Sequence, residues 1–136
     1  MSLVRRSATI AALALVLTGP ALSADAATTN WKTLVPFDGA KLQACKVSTT
    51  ATGPWKVKLR VDASKATGKV RGGGQVLKNG KPTPQSWDSR WVQKGAVSSV
   101  GTVHLTRGSA FTLSAGIGGT QAGNGGEFKA AKIPLC

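Results

Sequence analysis

The sequence predicts an all-β fold, an antiparallel β-sandwich with immunoglobulin-like proportions. Several segments alternate strictly between apolar and polar residues, the period of a half-buried strand. Turn signals rich in Gly, Asn and Pro separate these segments at intervals of roughly eight to twelve residues. No helix-period segment and no internal repeat follow residue 26. A small β-barrel or jelly roll is the alternative closure of the same strands.

Residues 1–26 have the three-part layout of a secretory signal peptide. Arg5 and Arg6 precede an apolar run from Ala8 to Leu17, and small residues end in Ala24-Asp25-Ala26. A run of about ten apolar residues is too short to span a bilayer. The expectation is cleavage after residue 26 and a single secreted domain over residues 27–136, with no transmembrane segment. The general secretory route is preferred because no bulky apolar residues follow the arginine pair. No cysteine near the cleavage point could carry a lipid anchor.

Residues 55–63 give the clearest strand, with Trp55, Val57, Leu59, Val61 and Ala63 on one face and charged residues on the other. Lys78-Asn79-Gly80-Lys81 reads as a tight hairpin, since Asn-Gly supplies the positive φ angles that a two-residue turn needs. Its arms are expected over about residues 69–77 and, beyond Pro82 and Pro84, within 86–93. Residues 99–106 put Gly101, Val103 and Leu105 on one face, and 110–117 do the same for Phe111, Leu113, Ala115 and Ile117. Six glycines in residues 116–126 read as a loop or irregular edge, and 127–135 as a final strand bulged at Ala130 and Ala131. The count is seven or eight strands.

Cys45 and Cys136 are the only cysteines, and an even pair in an exported chain reads as one disulfide. The formal charge is +13 for the whole chain. Beyond residue 26, sixteen basic residues face four acids, a net charge of +12. Such a surface gathers anionic partners, namely wall polymers, anionic lipid head groups, extracellular nucleic acid or acidic proteins.

The residues for common catalytic sites are missing from that region. One histidine, His104, and four acids, Asp38, Asp62, Asp88 and Glu127, do not make a His-rich or carboxylate-rich metal site. No Gly-x-Ser-x-Gly motif supports a serine triad, and Asp62 beside Arg60 reads as half of an ion pair. The glycines from Gly74 onward miss the P-loop spacing, and Pro82 stands where a metal-binding hydroxyl is required. Arg71-Gly72-Gly73-Gly74 therefore reads as a strand interruption or bulge. No enzyme activity, metal or cofactor is implied.

Lys56, Lys58 and Arg60 share one strand face at intervals of about 6–7 Å, a spacing suited to successive charges on a polyanion. Lys69 and Arg71 extend this anion-binding set if their strand pairs alongside. The alternative is a solvated face whose lysines discourage edge pairing. Of the four tryptophans, Trp31, Trp55, Trp87 and Trp91, Trp55 reads as core. Trp87 and Trp91 share a face if their strand is regular, for core packing or as a stacking platform. Lys81-Pro82-Thr83-Pro84-Gln85 reads as a stiff connection, or as a rigid loop with which a protein-directed effector grips a secreted partner.

The alanine-rich leader, the strand Val57 to Ala63, the hairpin Asn79 to Lys81, the stretch Ala122-Gly123-Asn124-Gly125-Gly126 and the terminal cysteine together resemble uncharacterised small secreted β-rich proteins of actinomycetes. That resemblance implies no activity. Ala122-Gly123-Asn124-Gly125 is also similar to the late loop of the apoproteins that carry enediyne antibiotics, which implies a small-ligand carrier. Those apoproteins differ in having two disulfides and an acidic surface. The resulting expectation is a secreted, non-enzymatic basic module for an anionic polymer or cell-envelope surface, with a protein-directed effector or ligand carrier as alternatives.

Overall fold

The alternation over residues 55–62 folds as its period requires: Val57, Leu59 and Val61 are fully buried while Lys56, Lys58 and Arg60 face outward. The computed structural model describes residues 29–136, so the expected signal peptide lies outside the described residues. Eight strands run in chain order: β1 Lys32–Phe37, β2 Ala40–Ser48, β3 Trp55–Asp62, β4 Val70–Lys78, β5 Lys81–Val92, β6 Gly101–Leu105, β7 Phe111–Gly118 and β8 Gly123–Phe128. They form two four-stranded antiparallel sheets, ordered β1-β2-β3-β6 and β5-β4-β7-β8. The fold is thus the expected β-sandwich, and no barrel closes.

One apolar cluster fills the space between the sheets. Leu42, Ala44, Val57, Leu59, Val61, Val103 and Leu105 of the first sheet meet Val70, Val76, Leu113, Ala115 and Ile117 of the second. At the middle of β4, Gly72 and Gly74 point inward, where a Cβ would press on Val61 and Leu59 respectively. Glycine in this central strand lets the two sheets approach, and Leu59 takes the room that a side chain would fill.

The hairpin at Asn79-Gly80 forms as expected, with φ of 48° and 76° and Lys78 opposite Lys81. Its second arm begins at once, so Lys81-Pro82-Thr83-Pro84-Gln85 is strand, not a connecting loop. Because β5 is a sheet edge, prolines without an N–H are tolerated there. The segment is also tied down: Thr83 Oγ1 donates to the Val76 carbonyl, and the His104 amide donates to Gln85 Oε1.

Two further expectations are corrected. Only residues 119–122 of the glycine-rich stretch are loop, since β7 runs through Gly118 and β8 pairs with it from Gly123. Backbone hydrogen bonds build this hairpin, and they need no side chains. Residues 127–135 are not one strand: β8 ends at Phe128, a 3-10 turn spans Ala130–Lys132, and Leu135 forms a parallel bridge with Lys46. There the Lys46 amide donates to the Pro134 carbonyl and the Cys136 amide to the Lys46 carbonyl. The Cys45–Cys136 disulfide forms beside this bridge, across 91 residues of sequence, and buries Cys45 completely. Such a bond belongs to an oxidising, non-cytoplasmic setting. Among the described residues no helix is long and apolar enough to cross a membrane.

Candidate functional site

The outward face of the first sheet carries the expected basic row. Lys56 pairs across the ladder with Val47 and His104, Lys58 with Cys45 and Thr102, and Arg60 with Gln43. Since all three project from β3, an interior strand, they stand on the sheet's broad surface rather than at its rim. Their surroundings differ. Arg60 Nε donates to Gln43 Oε1 at 2.9 Å, and its guanidinium lies 4.5 Å from the centroid of the Trp31 ring. The side chains of Lys56 and Lys58 have no hydrogen-bond or ion-pair partner among the described residues, so their ammonium groups are available to an external anion. Lys41 extends the row at the far end, opposite Asp62.

Asp62 does not pair with Arg60, contrary to the sequence expectation. Its carboxylate accepts from the Ser64 hydroxyl at 2.6 Å and the Ser64 amide at 3.0 Å. These bonds hold its pKa below the ordinary aspartate value, with smaller contributions from the charges of Arg60 and Lys41. The turn after β3 captures the acid locally, as Asp commonly does.

Lys69 and Arg71 do not extend the row. Lys69 immediately precedes β4 and Arg71 lies within it, in the opposite sheet, and Arg71 projects from the other side of the molecule. The Arg71 guanidinium is also engaged: Nε donates to both oxygens of Asp88 at 2.9 Å, and Nη2 lies 2.7 Å from Oδ2. This is the one ion pair among the described residues, and it holds the Asp88 pKa below its ordinary value. Lys69 Nζ lies 4.9 Å from the centroid of Trp91.

Trp87 and Trp91 do not share a face. Arg71 opposes Trp91 but Gly73 opposes Asp88, so β5 carries an extra residue at 89–90, where Arg90 has φ of 59°. One extra residue reverses the face of everything beyond it. Trp87 therefore packs inward against the core, and Trp91 lies outward, 43% exposed. Trp55 is half-buried at the margin of the core, with Arg107 and Lys46 at 3.9 and 4.5 Å from its ring centroid. Burial, and then the charge of Arg107, lower the Lys46 pKa, while its ammonium donates to the Ala130 carbonyl at 2.5 Å.

His104 stands exposed on the outer face of β6, as expected, with its ring nitrogen 3.3 Å from Gln85 Oε1. Among the described residues no cluster of His, Cys, Asp or Glu could hold a metal ion.

Three turns meet at one end of the sandwich around a cavity of about 530 Å³. Phe37 ends β1 and Asp38 opens the β1–β2 turn, Thr67 and Lys69 come from the segment before β4, and Thr120 and Gln121 from the β7–β8 turn. Nothing in the sequence marked this site, because its lining comes from three places far apart in the chain. Trp31 and Gln43, the partners of Arg60, were likewise invisible before the register of β1, β2 and β3 was known. Comparison with protein-family models, with curated proteins and with solved structures finds no match, so these surfaces stand on their own chemistry.

Proposed function

We propose that this protein is a secreted, non-enzymatic binding module that holds an anionic polymer or cell-envelope surface on the outer face of its first sheet. The observation that carries this reading is the pair Lys56 and Lys58: neighbours on one interior strand, with no carboxylate to neutralise them. Arg60, braced by Gln43 and Trp31, supplies a third cation whose position is fixed before any ligand arrives. The net charge of +12 beyond residue 26 steers anions toward the molecule, and the row gives them a place to dock. The leader composition and the disulfide support export.

The test is retention on an immobilised phosphodiester polymer and on vesicles of anionic lipid, measured between about 50 and 200 mM salt. Affinity should fall steeply over that range. The Lys56→Ala/Lys58→Ala variant should reduce the slope of log K against log salt by about 1 per lost contact, with an unchanged circular dichroism spectrum. Binding indifferent to both salt and substitution would remove the proposal.

A further inference from the structure

The end cavity has a chemistry unlike that of the basic face, and we infer that it is a binding site for a saccharide ring. Its volume, about 530 Å³, falls within the roughly 300–1,000 Å³ of small-molecule sites. Phe37 contributes an aromatic ring, half-buried and packed against the core, which sets it firmly in the wall. Around it stand a carboxylate from Asp38, hydroxyls from Thr67 and Thr120, and an amide from Gln121. None of these four side chains has a hydrogen-bond partner among the described residues. All four are exposed, so their polar atoms meet solvent or a ligand. An apolar surface bordered by unspent donors and acceptors matches a sugar ring, which has a C–H face and a rim of hydroxyls.

The backbone around the cavity is held before any ligand binds. The Thr67 amide donates to the Asp38 carbonyl at 3.2 Å, and the Gly119 amide to the Ala122 carbonyl at 2.9 Å, so all three segments are braced. Lys69, the cation in the lining, has its ammonium over the Trp91 ring, and Asp38 makes no ion pair. A contact with an aromatic face leaves an ammonium charged, so Asp38 and Lys69 together give the lining no net charge. Asp38 accepts from sugar hydroxyls or pairs with a sugar ammonium, whereas phosphates meet a denser set of unpaired cations on the basic face.

The experiment is an amide chemical-shift titration of the folded protein with glucose, glucosamine, their β-linked disaccharides and glucuronate. Saturable shifts are expected at Asp38, Gly68, Gly119 and Gln121 with the neutral or amino sugars. They should weaken at least about tenfold in the Asp38→Asn and Gln121→Ala variants, whose melting curves should match the parent. Asn suits position 38 because it accepts the positive φ of 44° found there. If no sugar gives saturable shifts at these amides, or if shifts appear only with glucuronate and only around Lys56 and Lys58, the inference fails. Loss of polymer binding in the Lys56→Ala/Lys58→Ala variant leaves these shifts untouched, so the two readings fail separately.

Discussion

A side chain at Gly101 would fall within the Trp87 indole, which covers this residue from β5. Trp87 faces inward opposite the inward-pointing Gly74, and the absence of a Cβ at residue 101 lets the ring close the gap between β5 and β6. Gly101→Val must displace the ring or part the strands. Overpacking of this kind costs about 1–3 kcal/mol. Urea denaturation should show that loss, together with a red-shifted tryptophan emission as the indole meets water. Parent-like stability and emission would mean that Trp87 has other places to go. Residue chemistry also explains where sequence reading fails. The alternation of Val57, Leu59 and Val61 announces their burial, whereas an arginine at φ of 59° carries no such sign, so the true face of Trp91 stayed hidden.

At the scale of elements, the segment after β8 acts as a fastener. Ile133 is buried in the core, Pro134 and Cys136 bond to the two sides of the Lys46 peptide, and the disulfide locks the arrangement onto β2. Cys136→Ser should therefore lower stability by about 2–5 kcal/mol. Hydrogen exchange should accelerate most at Lys46 and Ile133. A variant with the parent's stability and exchange pattern would show that noncovalent contacts alone hold the segment. The existence of the bond was legible from two cysteines in a chain whose leader reads as an export signal, and the Asn79-Gly80 hairpin from its turn chemistry. The partner of each sheet was not. Alternation says that β3 and β4 each have an inner face, but it does not say that they belong to different sheets, and so Lys69 and Arg71 seemed to continue a row they do not join. Strands β7 and β8 were half hidden for another reason, since glycine withholds the side-chain pattern by which a strand is recognised.

For the whole molecule, charge sets how stability responds to acid. Asp62 and Asp88 both have pKa values lowered by the fold, Asp62 chiefly by Ser64 and Asp88 chiefly by Arg71. A lowered carboxylate pKa gives stability that is complete above the unfolded value and is lost as pH falls through the folded one. Unfolding midpoints should accordingly drop as pH falls below about 4, where the sixteen cations beyond residue 26 also lose their opposing charges. Asp88 is exposed and Asp62 half-buried, and contact with solvent keeps their share modest. The Asp62→Asn/Asp88→Asn variant should show a shallower decline between about pH 4 and 2. A decline as steep as the parent's would assign acid sensitivity to general repulsion alone.

The two broad faces of the sandwich are chemically unlike. One bears Lys41, Lys56, Lys58 and Arg60. The other sets its arginine against Asp88 and is paved along its middle by Gly73, Gly116 and Gly125. A plate with such different sides cannot settle at random on a charged layer. Whatever takes up the lysines turns the bare side toward the surrounding medium and leaves the end cavity at the rim, open from the side, so that adsorption also becomes a means of display.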